Sequence, residues 1–256
     1  MYIPKKVVVD LTKFRALMGC NLTEEKARYI WGKNSVKNSD ISFGKEQTNE
    51  YVDSKIELAK KNVKFLCVGN VVKFIGVSGS VAAGFAKEED DIDVFVVVKN
   101  DTAWIYRALL VFKNIFHHRI RTKWDGERVK DKFCLNLICE ERDVVFEDDM
   151  FNFHELMYLV PIFNEKYLNY VYSRNVWLRE IYGVKGELMV NRVSVSKRMN
   201  VFFKILNFKA FFFQLVFMIL SKHSPEIPRL KENFKRGRIE FFPRDYKEKR
   251  MESYLK

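Results

Sequence analysis

Cysteine is sparse in this chain and badly spaced for structural chemistry. Cys20, Cys67, Cys134 and Cys139 form no Cys-x-x-Cys pair, and no histidine stands at ligand spacing beside them. That argues against a structural zinc site and indicates no disulfide framework. Cys67, Cys134 and Cys139 lie in apolar runs and read as small buried hydrophobes. A chain without a disulfide framework suits a reducing compartment, so the expected location is cytoplasmic. The N-terminal stretch MYIPKKVVVD has no apolar run long enough for a signal peptide. Internal repeats and low-complexity segments are absent.

Long apolar runs are scarce too. The one membrane suspect is VFFKILNFKAFFFQLVFMIL, residues 201 to 220, which Lys204, Asn207, Lys209 and Gln214 interrupt. A bilayer span wants roughly 20 predominantly apolar residues, and the charge-free part here runs only from Ala210 to Leu220. The segment reads first as a buried helix, then as an interfacial helix, and last as a span.

What the chain does have is apolar bulk and positive charge. Of its 256 residues 48% are hydrophobic and 15% aromatic, which argues for a real core. The length allows one large domain, or a small one with an appended part. The net charge of +12 is uneven: residues 183–256 hold 17 Lys or Arg against 7 Asp or Glu. A polyanion or an anionic membrane surface would suit this basic third; a solvated basic face is the plain alternative.

Local signals outline the elements. Thr23, followed by Glu24 and Glu25, reads as a helix N-cap. Residues 32–45 read as a polar loop. Val52, Ile56, Ala59, Val63 and Leu66 step by four and three, one face of an amphipathic helix of about five turns. VVKFIGVSG, residues 71–79, reads as a strand, and Asp91 to Val98 as a second strand whose continuous apolar run implies burial on both faces. Asn100 and Asp101 are expected to cap a helix with a buried stripe of Trp104, Ile105, Ala108, Leu109, Phe112, Ile115 and Phe116. A basic loop with Arg119, Arg121 and Lys123 leads to a third strand over 132–140. Helices are expected at about 151–160, 165–182 and 195–221, before a break at Pro225 and Pro228. The order predicts an α+β fold: a small mixed β-sheet core flanked by helices, with a helical C-terminal part. The divisions are 1–45, 46–150 and 151–256.

The chemistry concentrates in GVSGSVAAGFAKEEDDIDVFVVV, residues 76–98. A strand that ends in Gly79-Ser80 and opens into a helix presents free backbone N–H groups suited to phosphate. Gly79 allows close backbone approach, and Ser80 can cap the helix or donate to a phosphate oxygen. Asp91 and Asp93, two apart on a strand, share one face and repel each other unless a cation lies between them. Two hard carboxylates completed by substrate phosphates is a usual way to hold Mg²⁺. Either the acids form a solvated loop, or they form a metal clamp beside a phosphate cradle.

Gly79-Ser80 followed by Asp91-Ile92-Asp93 on an apolar strand resembles the signature of the nucleotidyltransferase superfamily, the DNA polymerase beta-like fold, and most closely its small prokaryotic members. The resemblance spans residues 71–140. It implies Mg²⁺, one or two ions, held by Asp91 and Asp93, with an NTP as substrate and an acceptor hydroxyl attacking the α-phosphorus. The family's third carboxylate, in an apolar-Asp-apolar setting, corresponds here to Leu135-Asn136-Leu137. Asn136 offers a carbonyl oxygen but neither charge nor base. Glu140, four residues on, is a weak substitute. Nucleotide binding stays in place under this departure, and transfer chemistry stands against an impaired binding or interaction module.

Overall fold

A computed structural model of the chain describes residues 5–33, 43–44, 49–122, 128–190, 193, 195, 200–220, 227–240 and 244–255. The centre of the expected polar loop (34–42), Lys123 and Pro225 lie outside these residues.

Five strands make one mixed sheet: β1 (Val72–Val77), β2 (Ile92–Val98), β3 (Phe133–Glu140), β4 (Val160–Phe163) and β5 (Arg238–Glu240), in the order β4-β1-β2-β3-β5. β1 runs antiparallel to β2 and β4, and β5 antiparallel to β3. β2 and β3 are parallel, so a crossover must join them. The described helices are α1 (Lys5–Ala16), α2 (Glu24–Trp31), α3 (Glu50–Lys61), α4 (Val63–Leu66), α5 (Gly79–Ala83), α6 (Ala103–His117), α7 (Met150–Tyr158), α8 (Lys166–Arg174), α9 (Trp177–Glu180), α10 (Val201–Leu220), α11 (Ile227–Arg236) and α12 (Arg244–Leu255). α6 is the β2–β3 crossover.

The sheet is covered on both faces, as the unbroken apolar run of β2 requires. Ile92, Val94, Val96 and Val98 pack with Trp104, Tyr106 and Leu110 of α6. Phe95 and Val97 point the other way, into a core with Phe14 of α1, Phe153 of α7 and Tyr167 of α8. α1 and α2 are therefore part of the core, and Thr23 caps α2 by accepting from the Lys26 N–H at 3.2 Å.

Several elements differ from expectation. The five-turn helix is broken at Asn62, whose side chain donates to the Leu58 carbonyl at 2.8 Å. The chain beyond residue 150 is largely helical, yet it supplies two strands: α7 stops at Tyr158, Val160–Phe163 pairs with β1, and Arg238–Glu240 covers the β3 edge. Trp104 and Ile105 are buried in α6 as expected, with Ala103, Tyr106, Leu110 and Asn114, whereas Leu109, Phe112, Ile115 and Phe116 are exposed. α6 is apolar nearly all round, so its periodicity could not tell inside from outside.

The segment 201–220 is a helix, but it is not a buried one. Only Asn207, Phe211 and Gln214 are buried, and 17% of its most apolar window is covered. By length and composition α10 could cross a membrane, with a mean hydropathy of 1.7 over that window. Of the polar interruptions, Lys204 and Lys209 face outward, while Asn207 and Gln214 face inward and bind α6. Asn207 Oδ1 accepts the N–H groups of Trp104 and Ile105 at 2.9 and 3.2 Å. Gln214 Nε2 donates to the Trp104 carbonyl at 3.0 Å, and its Oε1 accepts from Arg107.

Glu140 completes the cap. Its Oε1 accepts the Thr102 and Ala103 N–H groups at 3.1 and 3.3 Å, and its Oε2 pairs with Arg142 at 2.9 Å. Neither Asn100 nor Asp101 does this work; Asp101 takes a left-handed backbone, with φ of 63°. The first four orphan donors of α6 are thus satisfied from β3 and from a helix a hundred residues downstream. Asn207→Leu, similar in size but without the acceptor, should lower stability by ~1–3 kcal/mol in urea unfolding. Unchanged stability would show that the cap contributes nothing.

Candidate active site

The acids of residues 88–93 do not act as one group. Glu88 makes an exposed pair with Lys130 at 2.6 Å. Asp90 is structural: its Oδ2 accepts the Lys87 N–H at 2.9 Å and the Ser80 hydroxyl at 3.1 Å, closing the turn between α5 and β2. Ser80 is therefore engaged by Asp90 and does not cap α5. Asp91 pairs with Arg121 at 2.7 Å, where the basic loop returns toward β3. Asp93, on β2, points to the sheet face opposite Ile92.

Lys55 positions this loop. It lies on the inner face of α3, one turn before Ala59, and only 2% of its side chain is exposed. Its ammonium donates to the carbonyls of Glu88 at 2.9 Å and Asp90 at 2.7 Å, and to Asp131 Oδ1 at 2.7 Å. Three donors meet three acceptors, which offsets the desolvation of a buried cation. Beside them the Ile92 N–H donates to the Lys132 carbonyl at 2.8 Å, and the parallel pairing begins.

That pairing sets Asp93 opposite Cys134. Candidate ligand atoms of Asp91, Asp93 and Cys134 all lie within 4.8 Å of one another. Asn136 is buried further along β3, past an irregularity in the register between Asp93 and Phe95. The residue beside the two aspartates is thus Cys134. Glu140, the other alternative, is committed to the α6 cap.

Gly79 touches the same cluster. It has φ of +63°, and a Cβ there would lie 2.3 Å from Asp93 Oδ2, so no side chain fits. Its N–H donates to Glu155 Oε2 of α7 at 3.4 Å. Glu155 also faces the ring of the buried His154 at 3.5 Å. Burial is the main force pushing Asp93 up to about 7; the neighbouring charges of Asp91 and Glu155 add to it, while the Cys134 hydrogen bond and Arg121 oppose it. Cys134 itself is held neutral by burial and by the same two aspartates.

These groups fit a hard divalent cation. Two carboxylates on one strand face, one of them reluctant to ionise alone, gain from a positive charge between them. A neutral thiol is a poor ligand for Mg²⁺, so Cys134 belongs to the site as a hydrogen-bond donor to Asp93. The sequence left Glu155 unmarked and read Cys134 only as a small buried hydrophobe. Glu155 had no motif around it, and Cys134 required the β2–β3 register.

Residues 56–150 match the family described as nucleotidyltransferase domain. No curated protein and no solved structure matches the chain.

Two outcomes test this geometry. Between about pH 4, where a free aspartate ionises, and about 7, where Asp93 does, the folded chain binds the extra proton. Metal-free stability should therefore fall as pH rises through that window, and Asp93→Asn should flatten the fall; an equal slope in both proteins would place the effect elsewhere. Lys55→Met should cost ~1–3 kcal/mol and speed amide exchange at Asp90 to Ile92. Unchanged exchange there would remove Lys55 as the organiser of the loop.

Proposed function

We propose that this chain, whose residues 56–150 match the nucleotidyltransferase domain family, moves a nucleoside monophosphate from an NTP to a hydroxyl acceptor, with Mg²⁺ held by Asp91 and Asp93. The observation that carries this reading is the convergence of Asp91, Asp93 and the backbone of Gly79, so close that Asp93 Oδ2 occupies the space of a Gly79 Cβ. The carboxylate pair offers a cation a seat, and the Gly79 N–H, held by Glu155 Oε2 at 3.4 Å, would turn to a phosphate once that long contact is released.

A bound Mg²⁺ would supply charge neutralisation on the triphosphate and on the leaving pyrophosphate. The chain's own residues supply position. Lys55 and Asp90 fix the loop, and Arg121 orients Asp91. Gly79 lets Asp93 approach the backbone closely, and Glu155 adds a carboxylate at the edge of the cradle. In the transfer, the acceptor oxygen bonds to the α-phosphorus, the bond to pyrophosphate breaks, and the hydroxyl proton leaves to solvent or to a carboxylate. Most of the rate would come from alignment and electrostatics.

A second reading, a nucleotide-binding module without chemistry, is favoured by one observation: Asn136 and the neutral Cys134 stand on β3 where a third acid is expected. One experiment separates the two. Mg-NTPs are titrated calorimetrically into wild type and Asp93→Ala, and transfer of an α-labelled NTP is followed with and without candidate hydroxyl acceptors. The enzyme reading expects binding and label transfer, with transfer reduced at least ~100-fold in Asp93→Ala. Binding without transfer selects the module, and Cys134→Asp or Asn136→Asp then tests whether a carboxylate restores turnover. Transfer that survives Asp93→Ala would refute the assigned metal site.

A further inference from the structure

α10 is built inside out. Asn207, Phe211 and Gln214, at spacings of four and three, face α6, and the polar pair among them is spent on hydrogen bonds. The remaining surface carries Phe202, Phe208, Phe212, Phe213 and Phe217, each more than half exposed. The outer side of α6 adds Phe112, Ile115 and Phe116, exposed by 63%, 59% and 71%. A helix that faces water has the reverse arrangement. Apolar side chains on this scale, on two packed helices, mark an interaction surface.

Charge decides what covers it. Neither α6 nor α10 contains an Asp or Glu, while Lys204 and Lys209 lie exposed on α10 and Arg119 follows α6 directly. In an isologous dimer the same patch meets itself, so these cations would face their own copies with no carboxylate on either helix to pair with. An anionic bilayer supplies what is missing. Acyl chains would accept the phenylalanines, headgroup phosphates would accept the lysines, and Lys209, amid the outward phenylalanines, can snorkel to the phosphate level.

We propose that the outer face of α6 and α10 docks this protein in the plane of an anionic lipid bilayer. α10 lies in the boundary between headgroups and acyl chains and does not cross it. Its inner line is fastened to α6, and α6 is fastened through Trp104, Tyr106 and Leu110 to the sheet. A helix fixed along the flank of a folded domain cannot thread a bilayer while those contacts persist. The proposal stands independently of the transfer chemistry.

The test is vesicle co-sedimentation of the full chain, with phosphatidylcholine vesicles against vesicles that also contain phosphatidylglycerol, alongside sedimentation equilibrium without lipid. Wild type should bind the anionic vesicles, more weakly as salt rises. Phe213→Glu, at an exposed position that leaves the core intact, should weaken binding by at least ~10-fold. Lys204→Glu with Lys209→Glu should weaken it and flatten the salt dependence; circular dichroism confirms that both variants fold. Equal binding to neutral vesicles would overturn the charge argument. No vesicle binding, with a dimer that Phe213→Glu dissociates, would overturn the proposal in favour of a second copy. No vesicle binding by a monomer would overturn it outright.

Discussion

One ammonium group governs how this fold presents its chemistry. Lys55 collects the carbonyls of Glu88 and Asp90 and the carboxylate of Asp131 at the point where β2 and β3 both begin. Parallel strands have no hairpin to set their register, so it must be fixed by the crossover and by contacts where the strands start. With Lys55 seated, Ile92 finds Lys132 and Asp93 finds Cys134. A slip of one residue would turn Asp93 into the α6 core and Ile92 into the place of the carboxylate beside Glu155 and Cys134. The burial of a cation is thus tied to the placement of two anions.

Asp93 shows the other side of that constraint. Strand register, the close backbone of Gly79 and the charge of Asp91 hold it where its ionised form is poorly solvated. The fold accepts a carboxylate that favours a proton near neutrality. Perturbed groups of this kind gather at functional sites, and the nearby Arg121, Glu155 and Cys134 adjust the same balance. Arg121 is half exposed while Asp91 is largely covered, so the pair can exchange partners without disturbing the core.

The sequence carried the local half of this account. Gly79, Ser80, Asp91 and Asp93 stood out because strand alternation and glycine geometry are written in consecutive residues. The mixed sheet flanked by helices followed from the order of apolar runs, and the match to the nucleotidyltransferase domain family at residues 56–150 takes in those residues. What stayed hidden depends on residues far apart. Cys134 enters the site only through parallel pairing, and Glu155 only through the docking of α7. The Ser80 hydroxyl donates to Asp90, a partner ten residues on that no motif announced. α6 and α10 misled for another reason: both are apolar nearly all round, and their orientation is set by the few polar groups that cap one helix with the other. Lys55 fell inside the apolar stripe of α3, where a lysine reads as an interruption and not as a buried staple.

The shared cap of α6 has a consequence for the nascent chain. The first turn of α6 and the outer edge of β3 are made early, but their partners Asn207 and β5 come about a hundred residues later. At translation speeds of ~5–20 residues per second, that leaves a half-capped apolar helix and an open strand edge waiting for roughly 5–20 s. During that interval the growing polypeptide shows the features that holdase chaperones select. Its yield in the cell would then depend on protection during synthesis as much as on the stability of the finished fold.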